Sequence, residues 1–92
     1  MITAFVEIWV SPGRTKSVAQ ELLKFSEVKE VYSVTGEHDL VAVLRVKEHE
    51  HLSEVIPEAI AGVEGITATR TSIAFKCYSR EDLAAMWQIG ME

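Results

Sequence analysis

The sequence has a single cysteine, Cys77, which cannot form a disulfide within the chain. It opens directly into an apolar stretch, Met1 to Val6, without the basic segment and cleavage site of a secretory signal. No apolar run reaches the roughly 18 residues that cross a bilayer, and the longest is interrupted at Arg45 and Lys47. These absences predict a reduced, cytoplasmic protein without a membrane segment.

Basic residues are also few. Nine Lys and Arg stand against fourteen Asp and Glu, and the net charge is -5. The basic residues are scattered rather than clustered, which disfavours direct contact with nucleic acid. A chain of 92 residues makes one domain and buries only about 60 to 65% of its unfolded surface, so that self-association is expected to complete its core.

Apolar residues follow the strand period and the helix period in turn. The predicted strands cover 2–10, 31–35, 40–46 and 66–78, and the predicted helices cover 15–25, 52–60 and 80–89. Pro57 lies inside the second helix, where it removes a backbone donor, so the helix is expected to be kinked or to start later than its periodicity suggests. The single domain, 1–92, is therefore expected to have a core over 1–78 and a short C-terminal tail helix.

The order strand, helix, strand, strand, helix, strand predicts an α+β, ferredoxin-like βαββαβ sandwich. In this fold a four-stranded antiparallel sheet carries two helices on one face, which is also the unit of dimeric α/β barrels. Strand alternation places Phe5, Trp9, Val41 and Val43 on the face that the helices leave uncovered. We expect this face to be apolar and to pack on a second copy of the chain.

Two motifs carry a family resemblance. Residues 35–40 read Thr-Gly-Glu-His-Asp-Leu, and Gly65-Ile66 is followed by Thr69 and Thr71. Together with the order of the elements over residues 1–78, these motifs resemble the effector-binding domain of Lrp/AsnC transcriptional regulators. The chain is similar to the stand-alone form of that domain, because its first residues already form a strand and no helix-turn-helix precedes them.

The resemblance implies a non-catalytic regulatory module that binds an amino-acid effector between subunits. It implies a homodimer that assembles into tetramers, octamers or larger rings, and full-length Lrp/AsnC regulators as further partners. The implied ligand-binding residues are Thr35, Gly36, Glu37, His38, Asp39, Leu40, Thr69 and Thr71. His38 stands where an aromatic residue such as Tyr is common in the family, so the accepted side chain stays open.

Simpler explanations exist for the same residues. Turn geometry accounts for Gly36 and Asp39, and β propensity accounts for Thr69 and Thr71. Because a side chain at a turn tip packs little, replacing Asp39 with alanine is expected to leave the fold nearly unchanged.

The three histidines, His38, His49 and His51, show no spacing typical of a metal site. No nucleophile is placed beside them, so we expect no metal, no cofactor and no catalytic residues. Two other functions use the same element order. One is a small enzyme on a dimeric α/β barrel that acts on a small acid, and the other is an amino-acid-binding module of the ACT type.

Overall fold

The computed structural model describes residues 1–81 and contains one four-stranded antiparallel sheet in the order β2-β3-β1-β4. The strands are β1 Ile2–Val10, β2 Val28–Ser33, β3 Leu40–Val46 and β4 Ile66–Ile73. The helices are α1 Thr15–Leu22 and α2 His49–Glu54, and α2 continues into a π-helical segment, Val55–Ile60. Within the described residues, no helix is long and apolar enough to cross a membrane. Of the tail helix predicted over 80–89, all residues after 81 lie outside the described part of the chain.

The predicted ferredoxin-like fold is confirmed, whereas several predicted element ends were wrong. β2 begins at Val28 rather than at residue 31, because Val28 is buried and pairs with Leu44. The irregular pairing between Val28 and Glu30 breaks the strand alternation, which hid this start in the sequence. β4 ends at Ile73 instead of residue 78. Ile73 pairs with Ala4, close to the first residue of the antiparallel strand β1, so that β1 offers few further partners.

The core lies between the helices and one face of the sheet. Every second residue of the strands points into this core, as the two-residue period of a strand requires. The helical elements contribute the apolar residues that recur along one side with the 3.6-residue period. The fully buried members include Ala4, Val6, Ile8, Val18, Leu22, Leu44, Leu52 and Ile60. The opposite face of the sheet has no element of the described chain packed on it, and it is called the open face below.

Pro57 widens the second helix. The turns from Val55 to Ile60 are π-helical, and Ala61 N–H donates to the Ile56 carbonyl across the wider turn. A proline has no N–H to continue the α-helical ladder, and the wider π turns occur where that donor is missing. The helix begins at His49, so the alternative of a later start was wrong, and the irregularity predicted at the proline takes the form of π-helical turns.

Gly65, which connects the second helix to β4, is expected to be the least replaceable glycine. Its φ is +102°, and an added Cβ would lie 2.9 Å from Val18 Cγ2. Gly36 also has a positive φ, +123°, but no atom lies within 4 Å of its added Cβ. Gly65→Ala combines backbone strain with overpacking, so it should lower the free energy of unfolding by about 2–4 kcal/mol.

Gly36→Ala is the matched control, and backbone strain alone should cost it about 1–2 kcal/mol. Urea unfolding followed by circular dichroism measures both variants. Equal losses in the two variants would contradict the close approach of Gly65 to α1.

Candidate functional site

The β2–β3 hairpin brings its turn against the end of β1. Asp39 accepts a hydrogen bond from Val10 N–H on Oδ2 at 2.9 Å, and its own N–H donates to the Ile8 carbonyl at 2.9 Å. Val34 N–H closes the hairpin by donating to the Asp39 carbonyl. Asp39 thus ties the turn to the central strand, so the expectation that its side chain contributes little to the fold was wrong.

A charged and aromatic cluster lies on the open face beside this turn. Glu7 Oε2 accepts from Arg70 Nη2 at 2.6 Å and lies 3.5 Å from His38 Nδ1. The His38 ring meets Trp9 edge to face with centroids 5.8 Å apart, and the Arg70 guanidinium lies 5.9 Å from the Trp9 ring centroid. The Glu7 and His38 side chains are only 23% and 21% exposed. We call these four residues the open-face cluster.

The predicted ligand-binding residues gather at one end of the sheet but on two faces. His38 belongs to the open face, where it contacts Trp9. Thr69 and Thr71 pair with Ile8 and Val6, so their side chains share the helix-covered face. They are half-buried at the edge of the sheet.

The other predicted ligand-binding residues of the turn differ in their exposure to solvent. The turn residues Thr35, Gly36 and Glu37 are exposed, while Leu40 is 1% exposed and belongs to the core. Within one protomer the turn and the threonines therefore line two separate surfaces that meet at the hairpin end of the sheet.

The predicted interface residues do share the open face. Phe5 pairs with Val43, and Glu7 between Phe5 and Trp9 pairs with Val41. Phe5 is 42% exposed, whereas Val43 is only 6% exposed beneath its neighbours. The expectation of a purely apolar face was wrong, because the same registers place Glu7 and Arg70 among the apolar side chains.

Glu7 and Arg70 are the residues that sequence reasoning missed. A signal was present for Glu7, which is a lone charge between two aromatic residues on the same side of a strand. Arg70 lies between Thr69 and Thr71 in β4, so its side chain points to the opposite face of the sheet from theirs. Only the pairing of β1 with β4 shows that the two charges lie directly opposite each other.

Metal chemistry finds no support in residues 1–81, where no three His, Cys, Asp or Glu side chains converge as ligands. His51 instead bonds to Glu27, with 2.7 Å between Nε2 and Oε2. This hydrogen bond is the main cause that holds the pKa of Glu27 below its usual value, although desolvation acts in the opposite direction.

Comparisons with known proteins agree with this architecture. A family profile described as the Lrp/AsnC ligand binding domain matches residues 3–83. The chain is 36% identical over 77 residues to the transcriptional regulator FL11 of Pyrococcus furiosus, which covers 84% of this chain and 50% of that protein. The chain thus spans about half the length of the curated relatives it matches.

Two solved structures share the fold. TTHA0845 from Thermus thermophilus superposes with a TM-score of 0.81 at 42% identity, covering 87% of this chain and all of that one. The feast or famine regulatory protein of Mycobacterium tuberculosis, solved in complex with L-methionine, gives a TM-score of 0.73 at 28% identity. That match covers 87% of this chain and 54% of the mycobacterial chain.

Proposed function

The chain belongs to the Lrp/AsnC ligand binding domain family, a non-catalytic regulatory family, and from this premise we propose that it binds an amino-acid effector and responds by changing its assembly. The L-methionine complex of the mycobacterial relative supports an amino acid as the ligand class. The regulated output would be transcriptional or metabolic, in the cytoplasm.

The open face supports self-association as the first step. It exposes Phe5 and Tyr32 and is lined by further apolar residues of β1 and β3. Monomeric proteins rarely leave such a contiguous patch in water, and a second copy can cover it face to face. We propose that this dimer is the building unit of tetramers, octamers or larger rings.

The hairpin end of the sheet supports the position of the effector. A free amino acid needs hydrogen-bond donors for its carboxylate and an acceptor for its ammonium group. The exposed backbone of Thr35 to Glu37 supplies donors for the carboxylate of the effector. Asp39 Oδ2 accepts from Val10 N–H, and the second oxygen of the Asp39 carboxylate is left as the acceptor for the ammonium group. Thr69 and Thr71 extend this polar edge, and the subunit contacts would close the crevice.

The effector is identified by adding each of the twenty amino acids to the purified chain. A ligand present at a hundred times its Kd stabilises the folded state by about 2.7 kcal/mol, and we expect a rise in Tm of at least about 10 °C. Light scattering after size-exclusion chromatography should show a changed mass with the same amino acid. The D-enantiomer is the control, and no response to any of the twenty would contradict the proposal.

A further inference from the structure

A charged cleft of about 440 Å³ lies at the end of the sheet opposite the hairpin. It is formed where β2 begins and β3 ends, and Arg45 N–H there donates to the Glu27 carbonyl at 3.0 Å. Glu48, just before α2, and His51 in its first turn complete the wall of the cleft. This volume falls in the range of pockets that bind small molecules.

The basic side chains of the cleft are its distinguishing feature. Lys29, Arg45 and Lys47 line it, which is a third of all Lys and Arg in a chain of net charge -5. Within residues 1–81, none of the three is in an ion pair. Their positive charges are therefore available to a ligand.

The acidic residues of the cleft compensate these charges only in part. Glu27 is engaged by His51 at 2.7 Å, which joins the loop before β2 to α2. Glu48 is the other acidic residue of the lining. The cleft thus combines three basic side chains with two carboxylates, one of which is bonded to His51, and its excess positive charge makes a compact anion the complementary ligand.

A hydrogen bond within the protein orients one of the basic side chains of the cleft without a ligand. Lys29 Nζ donates to the Ser26 carbonyl at 2.8 Å, which fixes one ammonium group at the cleft. The ammonium retains two more protons for a ligand oxygen. Arg45 adds a guanidinium whose planar donors match phosphate oxygens in pairs. Preorganised donors of this kind lower the ordering cost of binding.

We propose that this cleft binds a phosphorylated small molecule, at a site separate from the amino-acid crevice at the hairpin end. A nucleic acid is the less suitable ligand, because three cations in one cleft do not form the extended basic surface that follows a phosphate backbone. The site is independent of the proposed amino-acid response, since none of its residues lies in the hairpin turn, 34–39, or is one of the threonines of β4.

Inorganic pyrophosphate and adenosine monophosphate are the probes, each titrated into the ¹⁵N-labelled full chain at constant ionic strength. Saturable shifts are expected for backbone amides in 26–29, 45–48 and at His51. The double substitution Arg45→Gln with Lys47→Gln should weaken binding at least about tenfold, because two charge-assisted contacts are lost. A stronger response to the nucleotide would assign the remaining volume to a base, and a response to pyrophosphate alone would assign the site to the phosphate groups.

Lys16→Gln with Lys24→Gln is the matched control, since it removes the same charge from α1 and from the turn that follows it, outside the cleft. This variant should bind both probes like the parent protein. Equal weakening in both double variants, or shifts spread over the whole surface, would overturn the site. Shifts of the same amides by a DNA duplex, with no response to either probe, would overturn the small-molecule assignment.

Discussion

Phe5→Glu is expected to dissociate the proposed sheet-to-sheet dimer into monomers of 10.3 kDa. Phe5 lies on the central strand β1, opposite Val43, and is 42% exposed on the open face. In a dimer that buries this face, glutamate would be an unpaired charge in an apolar contact. The dissociation constant should rise more than about 100-fold, equivalent to about 2.7 kcal/mol, and light scattering measures the mass directly.

Leu23→Glu is the matched control for this experiment. Leu23 is an exposed leucine that directly follows α1, away from the open face. The same change of chemistry there should leave the mass of the assembly unchanged. A Phe5→Glu protein that keeps the parent mass and a native circular dichroism spectrum would refute the sheet-to-sheet dimer.

Asp39→Ala is expected to remove the amino-acid response and also to weaken the fold. The carboxylate accepts the Val10 N–H at the end of β1, and alanine would leave this donor without its partner. Loss of a hydrogen bond to a charged group should lower the free energy of unfolding by about 1.5–3 kcal/mol. Urea unfolding measures the stability, and the Tm shift with the active amino acid measures the response.

Asp39→Asn separates the two roles. Asparagine keeps an oxygen that can accept from Val10 N–H but carries no charge for an ammonium group. We expect most of the stability to return while the amino-acid response stays lost. An undiminished response in the asparagine variant would exclude the charge of Asp39 from effector binding, even if the fold is unaffected.

The two motifs that indicated the family differ in how far the sequence alone could interpret them. The turn around Gly36 and Asp39 was placed correctly at a hairpin, because glycine and aspartate favour tight turns. The bond from Asp39 to Val10 joins residues 29 positions apart, and no local pattern indicates such a contact. The two-residue period of a strand puts Thr69 and Thr71 on one face of β4, but only the pairing with β1 decides that this face is the helix-covered one.

The sequence by itself determined the order of strands and helices, the irregularity of the second helix at Pro57 and the two-sided character of β1 and β3. These properties follow from the periods of two and 3.6 residues and from local backbone chemistry. Only the tertiary structure decided that Glu7 and Arg70 meet on the open face, and that Lys29, Arg45 and Lys47 line one cleft. Both groupings come from strand registers and chain crossings, which bring together residues that no local periodicity relates.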